Sequence, residues 1–214
     1  MKSSEAYNPQ VHDLLQVHRA SVSSEFAAEP SWVRQAMLDC PWVVVRRAQS
    51  AFGRVAVGVR GDSRGERWAA SCEKSLVREI VRPEEQRLRD RTSNDVRRTP
   101  ALRTLQEVSE QWADLGLPWG PGGSVGFELA SGRKVTTEAS DLDLVIRAKE
   151  KIGVEGARFL LGRTVGLEAK VDVRVETPVC GFSLEEYVSA SSAKILLRYP
   201  DGARLGKDPW QEEA

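Results

Sequence analysis

Apolar positions along this chain change period several times, and each change predicts an element. Pro41-Trp42-Val43-Val44-Val45-Arg46-Arg47 is a continuous apolar run with a charged end and predicts a buried strand. Val55 to Arg60 predicts a second strand, Gly61 to Gly65 a turn, and Arg67 to Ser71 a third strand. Upstream, residues 1–30 are polar with patches of small residues. His12-Asp13-Leu14-Leu15 is the point at which the fold opens, and Ser31 to Leu38 predicts a short helix after Pro30. After Pro100, Leu102, Leu105, Val108, Trp112 and Leu115 recur at helical spacing, with Gly116 as the stop. Val125 to Leu129 and Lys134 to Thr137 are expected to form a hairpin through Ser131-Gly132. Ser140 to Ile146 follows as a strand, then a helix over Val154 to Leu161 and a strand over Ala169 to Val175. Ser183-Leu184-Glu185-Glu186 matches a capping box ahead of a short helix. Ile195 to Arg198 is the last expected strand, turned by Pro200-Asp201-Gly202.

Between residues 82 and 99 the pattern lapses. Arg82, Arg87, Arg89, Arg91, Arg97 and Arg98 mix with Glu84, Glu85, Asp90 and Asp95, and apolar residues are nearly absent. This predicts an exposed helix or linker at a domain boundary. A basic phosphate-binding surface is the alternative, and the interleaved acids favour a solvated face. The expected organisation is a two-domain α/β (α+β) protein. A smaller sheet-containing N-terminal domain occupies residues 1–85, and a mixed sheet with helices occupies residues 86–214.

Composition narrows the class. The chain has 214 residues, 41% hydrophobic and 29% charged, enough for a real core in one or two domains. Its 31 basic and 31 acidic residues cancel, so no global field recruits nucleic acid. No apolar run approaches the roughly 20 residues of a membrane span, and no signal-like apolar segment is evident at the start. Cys40, Cys72 and Cys180 lack CxxC spacing and fit a reducing cytoplasm without a zinc site. With His12 and His18 the only histidines, a His-rich metal site is excluded by count.

Candidate chemistry concentrates in the C-terminal half. Asp141 and Asp143 lie two apart in a strand-like run and therefore share a face, about 7 Å apart along the strand. Leu142 and Leu144 face the core. Two such carboxylates suit hard divalent cations. The upstream Gly123-Ser124 turn offers backbone N–H groups and a hydroxyl to phosphate oxygens. Asp172 alternates with Val171 and Val173, and if its strand neighbours that of Asp143 the three acids converge on one edge. The combination points to metal-assisted phosphoryl or nucleotidyl transfer. Gly120 to Gly126 has neither G-x-G-x-x-G spacing nor a following GK[ST], so dinucleotide-binding and P-loop readings fail.

This Gly-Ser, Asp-x-Asp and distal-acid arrangement resembles the nucleotidyltransferase fold. One departure is the 16 residues between Ser124 and Asp141, which a hairpin insertion over Ala130 to Thr136 would absorb. The resemblance becomes closer over Pro41 to Arg47, Val57-Gly58-Val59-Arg60-Gly61, Gly123 to Phe127, Ser140 to Leu144, Leu196-Leu197-Arg198, Asp201-Gly202 and Asp208-Pro209-Trp210. These segments resemble the malonate decarboxylase holo-acyl-carrier-protein synthases, also called phosphoribosyl-dephospho-CoA transferases. The resemblance implies transfer of phosphoribosyl-dephospho-CoA from 2′-(5″-triphosphoribosyl)-3′-dephospho-CoA to a serine of the malonate decarboxylase acyl carrier protein, releasing diphosphate. It implies magnesium or manganese at Asp141, Asp143 and Asp172, phosphate contact by Gly123 and Ser124, and proton removal by Asp172.

Two other readings stand beside it: a nucleotidyltransferase with a different acceptor, and a catalytically inactive module that recognises a carrier protein. Trp32, Trp42, Trp112 and Trp119 read as packing residues, with adenine contact a second reading of Trp119. Lys194 and Arg198 are either surface cations or partners of the triphosphate.

Overall fold

The computed structural model describes residues 8–24, 28–63, 65–90, 99–190 and 194–211, with the backbone alone over 87–90. The chain divides into two compact units, Met1–Arg82 and Pro83–Ala214. Both combine helices with sheet, and the fold class is α+β.

The N-terminal unit holds β1 (Leu14–Val17), β2 (Val22–Ser23), α1 (Ser31–Asp39), β3 (Trp42–Val45), β4 (Arg54–Arg60), β5 (Arg67–Glu73) and β6 (Val77–Val81). Its six strands run in the order β2-β5-β4-β3-β1-β6, every pair antiparallel. Leu15, Val17, Val43, Val57, Val59 and Cys72 form its core, closed by Val33 and Met37 of α1. β-branched Val supplies most of this layer, as suits a pleated surface. The early polar segment thus contributes a central strand, β1, which pairs with both β3 and β6.

The C-terminal unit begins with α2 (Pro83–Asp90) and α3 (Pro100–Gln111). Arg91, Asp95, Arg97 and Arg98 of the charged segment lie outside the described residues, as do the side chains of Arg87, Arg89 and Asp90. Then come β7 (Trp119–Pro121), α4 (Gly123–Ser131), β8 (Leu142–Arg147), α5 (Val154–Gly162), β9 (Val171–Glu176), β10 (Gly181–Ser183), α6 (Leu184–Ser189), β11 (Ile195–Tyr199) and β12 (Gly202–Gly206). The sheet order β7-β8-β9-β10-β11-β12 follows the sequence. One neighbouring pair, β8 with β9, is parallel, joined by α5 as a crossover helix. Leu142, Leu144, Ile146, Val173, Val175, Phe182 and Leu197 point from the sheet into one core, against Leu105 and Val108 of α3, Ala157 of α5 and Leu184 of α6.

Two expectations are overturned. The hairpin over Val125–Leu129 and Lys134–Thr137 is instead the helix α4 followed by a loop. Gly132 ends the helix in the left-handed region at φ 73°. Glu128 pins the loop back, because its Oε2 accepts from the N–H groups of Val135 and Thr136 and from the Thr136 hydroxyl at 2.7–2.8 Å. Loop and helix, not an inserted hairpin, span Ser124 to Asp141. Nor is Ile195–Arg198 the last strand: Pro200-Asp201-Gly202 turns the chain into β12. The capping box is half made. Ser183 Oγ accepts from Glu186 N at 3.5 Å, while Glu186 Oε2 accepts from Leu196 N at 3.4 Å.

The C-terminal Asp208-Pro209-Trp210 segment clamps one end of the sheet. Lys151 Nζ bonds Asp208 Oδ2 at 2.6 Å. Thr177 Oγ1 donates to Pro209 O at 2.8 Å, and Trp210 Nε1 donates to Ala148 O at 3.1 Å. The Trp210 ring packs on Phe182 and Tyr187.

Candidate functional site

The acids occupy one face and one end of the parallel pair. In β8, Leu142, Leu144 and Ile146 face the core, so Asp143 faces the other way, with Val145 and Arg147. In β9 the same alternation places Asp172, Arg174 and Glu176 on that opposite face. The register pairs Asp143 with Asp172, Val145 with Arg174 and Arg147 with Glu176. The two aspartates are therefore side by side on adjacent strands, their backbones about one strand spacing apart, near 4.8 Å. A parallel pair is what allows this. Both strands enter from the same end, so residues early in each become neighbours.

Asp141 stands one residue before β8 and is exposed. Leu142 N donates to Lys170 O at 2.8 Å, tying this entrance to the entrance of β9. Ser140 Oγ accepts from Thr137 N at 2.9 Å and shapes the approach. Asp172 Oδ2 accepts from Arg174 Nη2 at 2.9 Å, with both side chains about one-third exposed. Among the described residues, no group of three or more His, Cys, Asp and Glu side chains is poised to hold a metal ion. The paired carboxylates offer hard oxygen donors suited to magnesium or manganese. In this conformation one of the Asp172 oxygens is taken by Arg174.

The Gly-Ser pair is brought to the same place. Gly122 N donates to Asp143 O at 2.8 Å, which anchors the start of α4 to β8. Gly123 has φ +54°, and a Cβ added there would collide with Asp143 Oδ2. Glycine is required twice over, for the backbone angle and for the carboxylate seated against it. Gly126 N donates to Gly122 O at 2.7 Å as the first helical bond. The N–H groups of Gly123 and Ser124 therefore have no acceptor within the helix. They lie at the positive end of the α4 dipole, beside Asp143. Gly126 lets the helix sit close: an added Cβ would meet Pro121 O at 2.6 Å and Gln86 Oε1 at 3.1 Å.

Of the residues singled out in the sequence, Gly123, Asp143 and Asp172 are thus brought together, with Ser124 and Asp141 flanking them. Trp119 is not placed to stack on an adenine. It is 1% exposed and packs edge-on against Trp112 with centroids 5.0 Å apart. Sequence reasoning missed Arg174 and Glu128. The alternation Val171-Asp172-Val173-Arg174 already put Arg174 on the face of Asp172. Glu128 gave no signal, because its partners are loop N–H groups.

The family model described as "Phosphoribosyl-dephospho-CoA transferase MdcG C-terminal domain" matches residues 87–209, and "Phosphoribosyl-dephospho-CoA transferase MdcG N-terminal domain" matches residues 10–83. A curated protein of Azotobacter vinelandii named phosphoribosyl-dephospho-CoA transferase is 37% identical over 207 residues, 96% of each chain. One of Pseudomonas putida strain W619 with the same name is 37% identical over 202 residues, 94% of this chain and 95% of the relative. A third, of Pseudomonas aeruginosa, is 36% identical over 204 residues, 95% of this chain and 94% of the relative. No solved structure matches the chain at comparable significance.

Proposed function

The chain belongs to the MdcG family of phosphoribosyl-dephospho-CoA transferases and is a transferase, and from that premise we propose its acceptor, its leaving group and its working residues. The acceptor is a serine of the malonate decarboxylase acyl carrier protein. The donor is 2′-(5″-triphosphoribosyl)-3′-dephospho-CoA, and the leaving group is diphosphate. The observation that carries this reading is the pairing of Asp143 with Asp172 across the parallel strands, beside the N–H groups that open α4.

In the proposed reaction the serine oxygen bonds to the α-phosphorus, the bond from that phosphorus to the α–β bridging oxygen breaks, and diphosphate departs. The serine proton passes to the Asp172 carboxylate. Arg174 holds Oδ2, which leaves Oδ1 to receive it. Gly123 N–H, Ser124 N–H and the Ser124 hydroxyl hold the departing phosphates. Asp141 and Asp143 would hold magnesium or manganese, which would supply neutralisation of charge on the attacking and leaving oxygens. The nucleophile belongs to the partner, so the chain itself needs no Ser-His-Asp arrangement.

No helix among the described residues is long and apolar enough to cross a membrane, and the three cysteines are buried and unbridged. A cytoplasmic setting fits both. The test is direct. Enzyme, magnesium, donor and unmodified carrier protein are combined and the carrier is weighed intact. The expected product carries one phosphoribosyl-dephospho-CoA group on serine and appears with one diphosphate. An unmodified carrier, with the group on another acceptor, would replace this reading by a nucleotidyltransferase of different acceptor.

A further inference from the structure

Arg198 lies on the same face of the sheet as the acids. In β11, Ile195, Leu197 and Tyr199 enter the core, so Leu196 and Arg198 face the opposite side. The register carries this across the sheet: Arg198 is opposite Gly181, Gly181 is opposite Glu176, and Glu176 is level with Arg147. Gly181, itself buried, contributes no side chain to this row. Arg147 bonds Glu84 at 3.3 Å. Arg198 differs. Its side chain is half-buried, and its Nη1 is buried with no hydrogen-bond partner among the described residues.

A guanidinium carries five donors and stays protonated. Desolvating one of its nitrogens without an acceptor is unfavourable by roughly 1–3 kcal/mol. A ligand that brings oxygens removes that penalty, and guanidinium forks match phosphate oxygens in pairs. Position selects which phosphate. From Asp172 to the row of Arg198 is four residues along the strand and two strand spacings across, about 16 Å between Cα atoms. A side chain reaching back from Arg198 remains well short of the α-phosphorus held at Asp143 and Asp172. The group being transferred carries a second phosphate cluster, the diphosphate between adenosine and pantetheine. Two ribose rings separate it from the triphosphate.

We propose that Arg198 binds the diphosphate bridge of the dephospho-CoA part of the donor. This rests on the transferase reading above but not on the identity of the acceptor. It assigns one end of the acid-bearing face to the triphosphate and the other to the part of the donor that the family name specifies.

Three probes test it by titration calorimetry on the full chain: dephospho-CoA, adenosine, and inorganic tripolyphosphate with magnesium. Arg198→Met is expected to weaken dephospho-CoA about ten- to a hundredfold, the loss of one charge-assisted pair. Tripolyphosphate and adenosine should bind as they do to the parent, and Arg198→Lys should recover part of the loss. If Arg198→Met does not fold, the Lys variant carries the test, with dephospho-CoA alone expected to weaken. Unchanged dephospho-CoA affinity would overturn the proposal, and so would tripolyphosphate weakening in step with it. Carrier loading is not read out here. A parent enzyme that fails to load the carrier would refute the acceptor assignment and leave this result standing.

Discussion

The two sheets of this protein contain the same number of strands and differ in the direction of one neighbouring pair. In the N-terminal sheet every neighbouring pair is antiparallel. In the C-terminal sheet one pair, β8 with β9, is parallel. The difference decides where chemistry can be built. An antiparallel pair places the start of one strand beside the end of the next, so short-range motifs at two strand entrances are kept apart. A parallel pair sets two entrances together, and here each entrance brings an aspartate. The N-terminal sheet spends its alternation on Val, Ala and Cys packing. The C-terminal sheet keeps one face for the core and gives the other Asp143, Asp172, Arg174, Glu176 and Arg198. The edge with paired acids thus arises from the crossover.

The comparison is broken most completely by removing charge at the entrance of β8. Asp141→Asn and Asp143→Asn each keep side-chain size and lose an anionic ligand suited to a hard cation. Transfer is expected to fall to near background in both, measured by carrier loading at ordinary magnesium. The melting transition should stay close to the parent's, because neither carboxylate is part of the apolar core. Substantial loading by either variant would remove that residue from the site.

Asp172 should give a smaller and more selective effect. Loss of a general base slows a reaction by roughly 10² to 10⁴. Asp172→Asn should therefore slow single-turnover transfer by about that range, with donor affinity within roughly tenfold of the parent, about 1.4 kcal/mol. A collapse of affinity along with rate would make Asp172 chiefly a metal ligand. Unchanged rate and affinity would leave it as the partner of Arg174 alone.

The N-terminal sheet should behave in the opposite way. Val57 is fully buried on β4 between Val45 and Ala70. Val57→Ala removes two methyl groups and leaves a cavity, lowering stability by about 2 kcal/mol. Chemical denaturation would read that loss. The single-turnover rate of the folded fraction should not change, since the groups proposed to react all belong to the C-terminal unit. A rate loss comparable to that of Asp172→Asn would place part of the working site in the N-terminal unit.

What the sequence revealed follows the same division. Long elements with one dominant period were legible: Leu102, Leu105 and Val108 announced α3, Val43-Val44-Val45 announced β3, and Ala169 to Val175 announced β9. The alternation around Asp143 and Asp172 showed the face they share, whereas Asp141 stands one residue before β8. The stretch Val125 to Leu129 misled because Val, Phe and Leu at every second place fit a strand as well as a helix. What settles it is tertiary. Gly126 permits close approach to Pro121 and Gln86, and Glu128 needs the loop after Gly132 to return. Neither contact has a local signature. β1 and β6 were hidden in a similar way, since Gln16, Arg78 and Glu79 dilute their apolar pattern and pairing with neighbours supplies what composition lacks. The bond from Arg174 to Asp172 was readable in principle, as two residues of opposite charge on one strand face. Its consequence, that one oxygen of the third acid is occupied, needed coordinates.

The smallest effect belongs to the clamp at the other end of the C-terminal sheet, and there pH gives the cleaner readout. Lys151 donates to Asp208 at 2.6 Å, and Trp210 N donates to the other carboxylate oxygen at 3.0 Å. The Lys151 bond, more than the Trp210 amide, holds the Asp208 carboxyl below its usual range, against the opposing influence of burial. The same contact raises the Lys151 ammonium. For a depressed acid the folded state binds its proton later than the unfolded chain does. The stabilisation is therefore complete above the unfolded value, near pH 4, and fades as pH falls through the folded one. Lys151 is more than half exposed, so solvent screening limits the pair to below about 1 kcal/mol. Asp208→Asn should lower the neutral-pH melting temperature by a few degrees or less, with the gap to the parent narrowing as the buffer is taken below about pH 4. Added salt at pH 7 should narrow it as well. Transfer rate should stay at the parent value, because this clamp grips the strand ends away from Asp143 and Asp172. A gap that stays constant from neutral pH down to the acid transition would show that Asp208 acts through the Trp210 amide and chain geometry instead of through its charge.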